Sequence, residues 1–328
     1  MIPNQWYAIL DSREVRPGRV LGVRRLGLPL AVWRDPAGRV VIMHQRCPHR
    51  GAQLSQGKIV EGTLECPFHG FRFEASGACT LIPASGRAAP VPKAFRAAPF
   101  PARESHGLIW MWWGEPRDEY PPLPMFTDID EGFPYGAITL PWPVHYTRAI
   151  ENQLDVSHLP FVHARTIGRG GRTLVNGPYT TLVDDLIEVW PAFEADAGTP
   201  ALKPSEVPPP AGPSLLRFRF PNLWQNALSE DLRIFAAFAP VDEGNTVLYL
   251  RFYQRLMRVP VLRELICWLG AQGNRVVARE DKRVVSRQDP IKGDLNIGEV
   301  YIPADRPIAV YHTRRRELIE SQPPGGTA

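Results

Sequence analysis

Two short stretches near the N-terminus hold the residues best suited to chemistry. Cys47-Pro48-His49 is followed, after sixteen residues, by Cys66-Pro67-Phe68-His69. Each half offers one thiolate and one imidazole within a span short enough for a tight loop, and Pro48 and Pro67 stiffen both loops. Two Cys and two His can hold a tetrahedral zinc. Zinc ribbons usually build on a Cys-x-x-Cys type of knuckle, and neither half has one. The same four ligands suit a [2Fe–2S] cluster of the Rieske type, in which one iron takes both thiolates and the other both imidazoles. This is the favoured reading, and structural zinc is its alternative. Cys79 and Cys267 have no partner at ligand spacing and read as buried structural thiols.

A second constellation lies in Glu151-Asn152-Gln153-Leu154-Asp155-Val156-Ser157-His158-Leu159-Pro160-Phe161-Val162-His163. Asp155 and His158 are three apart and share a face if the segment is helical. His158 and His163 are five apart, but Pro160 between them suggests a bend that brings both imidazoles to one point. By spacing alone, a metal site and a pair of hydrogen-bonded histidines near a helix end both stay open. The segment 261–288 has helical periodicity and no internal proline, and Val277, Asp281, Val284 and Val285 fall on one stripe of it. A carboxylate in an apolar stripe is costly unless it is paired or metal-bound. Lys282 and Arg283 point elsewhere on such a helix, which leaves a metal ion as the better compensator. Two His and one Asp make the facial triad of non-haem Fe(II) oxygenases, with Glu280 as the competing ligand. His44, His106, His145 and His312 have no ligand spacing and read as structural.

The stretches CPHRGAQLSQG and ECPFHGFRFEASGAC resemble the Rieske domain of the Rieske non-haem iron oxygenases, and the likeness runs over nearly all of residues 4–114. Phe71 departs from it, since many members have Trp after His-Gly. The paired extra cysteines of respiratory Rieske proteins are missing, with Gln53 and Phe68 in such places. The segment from Asn152 to His163 resembles the mononuclear-iron motif of the same family, and Glu280 to Gln288 resembles its third-ligand segment. The resemblance implies that Cys47, His49, Cys66 and His69 hold the cluster and that His158, His163 and Asp281 hold Fe(II). It implies that Asp155 bridges a ligand histidine to a cluster histidine of a neighbouring subunit, and that Asn152 lies close to the iron. It further implies O₂ as cosubstrate, a head-to-tail homotrimer, and hydroxylation or oxidative demethylation of an aromatic, heterocyclic or pigment-like molecule. The branch it resembles is the monooxygenase and demethylase one. The competing expectation is a Rieske electron carrier or sensor without oxygenase activity.

These residues need two frameworks. The first third reads as short strands and turns, including a hairpin from Ala31–Trp33 to Val40–Met43 around Asp35-Pro36-Ala37-Gly38, and a strand at 108–113. The proline-rich stretch Glu115–Pro124 marks a boundary. The expected organisation is α+β, with an all-β Rieske domain at 1–116 and a helix-grip catalytic domain at 117–328, in which an antiparallel sheet holds the long helix. Residues 181–190, 214–220, 232–239 and 246–256 read as strands, the last two joined at Asp242–Asn245. Thr199–Pro213, with six prolines, reads as a loop or lid, and 321–328 as a disordered tail. Trp190, Phe193, Phe218, Phe220, Trp224 and Asn226 are candidates to line an apolar pocket.

Composition narrows the classes. The chain has 328 residues, 44% hydrophobic, and its 38 basic and 34 acidic residues leave a net charge of +4, too small an excess to suggest nucleic acid as the main partner. Thirty-five prolines, about twice the usual share, argue against a helical bundle. The most apolar long stretch, 256–271, carries Arg258, Arg263 and Glu264, so no membrane span is expected. Four cysteines are too few for a disulfide scaffold, and a cytoplasmic setting is expected. No dinucleotide or flavin signature is present, so electrons are expected from a separate reductase or ferredoxin. Arg50, Lys58, Arg72, Arg87 and Lys93 are candidates for its docking patch.

Overall fold

The computed structural model describes residues 1–321, and the expected tail falls outside them except for Ser321. It divides into two compact units, Asn4–Tyr120 and Pro121 onward, the second also taking in Met1–Pro3.

The first unit is all-β. Its strands are β1 (Gln5–Asp11), β2 (Leu21–Arg25), β3 (Leu28–Arg34), β4 (Val40–His44), β5 (Lys58–Val60), β6 (Thr63–Glu65), β7 (Arg72–Phe73), β8 (Cys79–Leu81), β9 (Pro99–Phe100), β10 (Ala102–Ser105) and β11 (Leu108–Trp113). They form three antiparallel sheets, ordered β1-β11-β10, β2-β3-β4-β9 and β5-β6-β7-β8. The buried faces include residues that fit a pleated surface, such as Trp33 and Val41 in the second sheet and Phe73 in the third.

The second unit holds β12 (Tyr135–Trp142), α1 (Tyr146–Leu154), α2 (Leu159–Val162), β13 (Leu174–Val183), β14 (Leu186–Glu194), β15 (Leu216–Arg219), β16 (Leu223–Ser229), β17 (Leu232–Asp242), β18 (Asn245–Gln254), α3 (Pro260–Val285) and α4 (Arg306–Glu320). One seven-stranded antiparallel sheet runs in the order β12-β18-β17-β16-β15-β14-β13. The helix α3 lies against β12 and β18. A side chain at Gly136 would meet the backbone of Cys267, and one at Gly270 would meet the ring of Phe252, so two glycines permit this close approach of helix and sheet.

The reading of 181–190 as one strand is corrected. A tight turn at Asp184-Asp185, both at positive φ, splits it into the ends of β13 and β14. Two positive φ values suit a hairpin turn whose twist matches the strands. The usual signal, a glycine, is missing there. Residues 199–213 hold no helix or strand.

The helix α1 is fixed by polar contacts rather than by apolar packing alone. Glu151 is buried, accepts from Arg148 at 2.9 Å and pairs with His312 of α4. Arg148 also bonds the Pro290 carbonyl and Glu299. His145 caps the helix, its Nδ1 accepting from the Thr147 backbone. Burial, with Lys292, Arg315 and the N-terminal amine nearby, pushes His145 down to about 3, against a small opposing pull from Asp294. Glu243 lies 3.7 Å from its Nε2. The folded-state pKa is thus below the unfolded value of about 6.5. Between those values the unfolded chain binds a proton that the folded chain refuses. Stability from this group is therefore full above about 6.5 and falls as pH drops, at about 1.4 kcal/mol per unit. Unfolding of the wild type and of His145→Asn, measured from pH 7 to pH 5, is expected to show the steeper loss in the wild type. Parallel curves would contradict the assignment.

Candidate metal centres

The two cluster loops are built alike. In the first, the Cys47 N–H donates to Ala52 O and the Gly51 N–H returns to Cys47 O. In the second, the Cys66 N–H donates to Phe71 O and the Gly70 N–H returns to Cys66 O. Gly51 and Gly70 hold φ of +74° and +71°, a conformation that favours glycine. Both thiols are buried, and the His49 and His69 rings stand 4.6 Å apart, with His49 stacked on Phe71. Burial pushes the Cys47 thiol up to about 11, and Cys66 beside it adds to the shift. Two buried thiols with no disulfide, in loops that also bring two imidazole rings together, fit a cluster whose iron would compensate the thiolate charge. Cys79 and Cys267 are buried and free, Cys79 lying 3.4 Å from the Leu81 carbonyl.

In the second unit, ligand atoms of His158, His163 and Asp281 lie within 4.8 Å of one another. The segment reaches this arrangement by a route the spacing did not show. Asp155 is the extended C-cap of α1, so it shares no helical face with His158, which precedes the one-turn α2. Its Oδ2 nevertheless lies 3.4 Å from His158 Nδ1, while Oδ1 accepts from the Ser157 N–H and hydroxyl at 2.7 Å. Asp281 sits two turns along α3 from Asn274. Its Oδ1 is 2.9 Å from His163 Nε2 and 3.5 Å from His158 Nε2. At neither ring is the alignment that of a hydrogen bond, and this buried oxygen has no hydrogen-bond partner. Close but unaligned atoms are what three ligands facing a common point produce, so the set fits a metal ion.

Glu280 falls elsewhere. Its Oε2 accepts from His163 Nδ1 at 2.8 Å and from the Thr166 hydroxyl at 2.7 Å, on the side of the ring away from Asp281. It therefore orients His163, as outer carboxylates do for ligand imidazoles. Sequence spacing had offered it only as a rival ligand.

Three carboxylates surround two imidazoles here. Burial opposes protonation of His158, but Asp155 and Asp281 outweigh it and raise the ring to about 9. His163 is raised as well, burial being outweighed by Asp281 and Glu280. Burial would lift the Asp281 carboxyl, yet the two rings hold it at about 2. Such a site is net negative with neutral rings and suits a divalent cation.

The site opens on a cavity of about 130 Å³. Of the predicted lining residues, Phe193, Trp224 and Asn226 face it. Phe218 and Phe220 do not, because they pack with Tyr311 in the core, and the Trp190 N–H is tied to Gly212 O. Asn152 lines the same cavity as His158, His163 and Asp281. The stripe on α3 is also corrected: Val284 is 43% exposed, and the inward positions are Asn274, Val277, Ala278, Asp281 and Val285. Asn274 stands seven residues before Asp281 on that face and carries no charge that would mark it in the sequence. Of the candidate docking residues, Arg72 pairs with Glu61 and Glu65 and Lys58 pairs with Glu65, while Arg50, Lys58, Arg87 and Lys93 are exposed.

The glycine-rich segment after His163 has a local task. Gly168 donates to the His163 carbonyl at 3.0 Å, and a side chain there would come within 2.0 Å of the Leu159 carbonyl. Gly168→Ala must therefore displace the turn carrying both histidines. We expect Fe(II) to be held about 10–100-fold more weakly, with the reduced Rieske signal unchanged. Unaltered iron affinity in that variant would contradict the placement of the turn.

Comparison with known proteins agrees with both units. Residues 5–95 match the Rieske [2Fe-2S] domain, and residues 142–321 match the vanillate O-demethylase oxygenase C-terminal domain. This chain belongs to the Rieske non-haem iron oxygenases. As a member of that family it resembles chlorophyllide a oxygenase of Chlamydomonas reinhardtii, 37% identical over 51% of this chain and 25% of the relative. It resembles protein TIC 55 of Pisum sativum, 26% identical over 91% of this chain and 54% of the relative. The matched stretches thus span about half or less of these curated relatives. In fold it is similar to NdmA of Pseudomonas putida CBB5, with a TM-score of 0.77 at 23% identity, covering 97% of this chain and 91% of the other. No helix among the described residues is long and apolar enough to cross a membrane.

Proposed function

We propose that this chain is an oxygenase component that uses O₂, with electrons from a separate reductase or ferredoxin, to hydroxylate or oxidatively demethylate an apolar aromatic, heterocyclic or pigment-like molecule. The observation that carries the reading is the buried Asp281 oxygen, which faces two imidazoles without bonding either, beside a largely apolar cavity. In this reading Cys47, His49, Cys66 and His69 hold the cluster, and His158, His163 and Asp281 hold Fe(II). When bound, the two groups supply O₂ activation beside the substrate and the stored electron that it requires.

The rest is the work of the chain. Glu280 fixes His163 through Nδ1, so that Nε2 faces the metal position. Asp155, itself held by Ser157, faces Nδ1 of His158 and keeps its Nε2 directed at Asp281. The cavity walls, including Leu216, Ala236 and Leu250, exclude water from the reacting edge of a substrate. Asn152, beside the metal ligands, places an amide against the bound molecule.

We further propose that the chain works as a head-to-tail homotrimer, in which Asp155 links His158 to a cluster histidine of the neighbouring copy. The exposed Val261, Leu265 and Trp268 on α3 offer apolar surface that assembly would cover. Four free cysteines suit a reducing compartment such as the cytoplasm. The rival reading, an electron carrier or sensor, gives no purpose to the second ligand set and its cavity. The test is turnover under ¹⁸O₂ with a surrogate reductase across a panel of aromatic and heterocyclic methyl compounds. Substrate-dependent label in hydroxylated product, or formaldehyde release, is expected. Cluster reduction without oxidation of any substrate favours the carrier.

A further inference from the structure

The cavity wall is apolar apart from a few polar groups, and four of these outside His158, His163 and Asp281 have buried atoms with no use inside the protein, one being Asn152 Nδ2, already placed beside the metal position. Trp224 Nε1, Asn226 Oδ1 and Asn274 Nδ2 are buried without a hydrogen-bond partner, and all three side chains line the cavity. Trp224 and Asn226 are two apart on β16 and so share one face of the sheet. Asn274 comes from the facing helix, seven residues before Asp281 and thus about 10 Å from it along the axis. Buried polar groups are normally paired, and apolar residues of similar volume would fill these places at less cost. An orphaned donor in the wall of a ligand cavity is accounted for when a ligand completes it.

The charge pattern restricts that ligand. No Lys or Arg occurs among the described lining residues, and the only charged groups there belong to the metal site, Asp155 and Asp281 among them. A carboxylate or phosphate at this edge would be desolvated with no Lys or Arg to pair it, since the Fe(II) that offsets Asp155 and Asp281 belongs at the other end of the cavity. The Trp224 indole can only donate, so it requires an acceptor, whereas the carboxamides of Asn226 and Asn274 each offer both an acceptor and a donor. We propose that Trp224, Asn226 and Asn274 form a recognition edge that selects neutral, largely apolar molecules carrying an amide-like edge, a carbonyl beside an N–H, as in a lactam or ureide ring. This deepens the oxygenase reading and rests on it. The 10 Å offset then places the oxidised substituent at the end of the molecule away from the polar edge.

The test uses three bicyclic probes of similar size: 2-quinolone, naphthalene and 2-naphthoate. Their dissociation constants are measured anaerobically, by sealed equilibrium dialysis, with the full chain carrying both metals. The wild type is expected to bind 2-quinolone at least about tenfold more tightly than naphthalene, and 2-naphthoate most weakly. Asn274→Leu and Asn226→Leu are each expected to reduce the 2-quinolone preference about tenfold while naphthalene changes little. Trp224→Phe removes the N–H and keeps the ring, and is expected to act in the same direction. Equal binding of 2-quinolone and naphthalene by the wild type would overturn the proposal without recourse to any variant. So would tightest binding of 2-naphthoate, or an unchanged preference in all three folded variants. The two readings fail separately. A protein that prefers 2-quinolone but retains no mononuclear iron overturns the oxygenase reading and upholds the recognition edge. One that oxidises substrates and shows no such preference does the reverse.

Discussion

Asp281→Ala is expected to strip the mononuclear iron and leave the cluster in place. The substitution removes the one buried oxygen that lies within 3.5 Å of both His158 and His163. Two imidazoles alone do not make the facial triad. Iron should fall by about one atom per chain, acid-labile sulfide should be unchanged, and O₂-dependent turnover should drop by more than about 100-fold, beyond the 10–100-fold typical of outer residues. The control is Glu280→Ala, which should weaken iron binding about 10–100-fold without abolishing it. If Glu280→Ala lost all mononuclear iron and Asp281→Ala kept it, the two roles would be exchanged.

The second large effect is expected at Asp155. Asp155→Asn keeps the shape of the side chain and its contact with Ser157, but removes the charge that faces His158 Nδ1. Both metals should remain, since neither ligand set is touched. Turnover should fall by about 100-fold or more, because the carboxylate is proposed to orient the ligand imidazole and to join the two centres across subunits. Cluster reduction by dithionite should proceed as before. Single-turnover oxidation of substrate by the pre-reduced protein, followed alongside cluster oxidation, is the measurement. Comparable coupled turnover in the variant would sink the bridging role.

The cluster loops were legible in the chain because all of their chemistry is local. Each loop spans five residues from Cys to Gly, and its cysteine, histidine, stiffening proline and turn glycine are close together in sequence. The long helix and its buried carboxylate were legible for a related reason: a charged residue in an apolar stripe stands out at helical spacing. What escaped was set by tertiary contacts. The stripe already favoured Asp281 over its neighbour Glu280, but only the packing of α3 beside α2 shows that Glu280 meets Nδ1 of His163 while Asp281 lies at Nε2. Asn274 carries no charge, and an asparagine on a helix reads as surface until the facing sheet shows that its amide is buried. The Asp184-Asp185 turn was hidden because it lacks glycine, and a positive φ at aspartate leaves little trace in sequence. His145 and His312 read correctly as structural histidines by elimination, but the network that joins His312 to Glu151 needed α4 to be folded back on α1.

The proposed chemistry needs two metal centres of different kinds in one chain. The most direct measurement is joint: iron, acid-labile sulfide and the EPR spectrum of the reduced state, on protein purified anaerobically and loaded with ferrous iron. About three irons and two sulfides per chain, with a reduced Rieske signal, are expected. Two irons with the same signal would contradict the role assigned to His158, His163 and Asp281, and zinc without sulfide would contradict both centres.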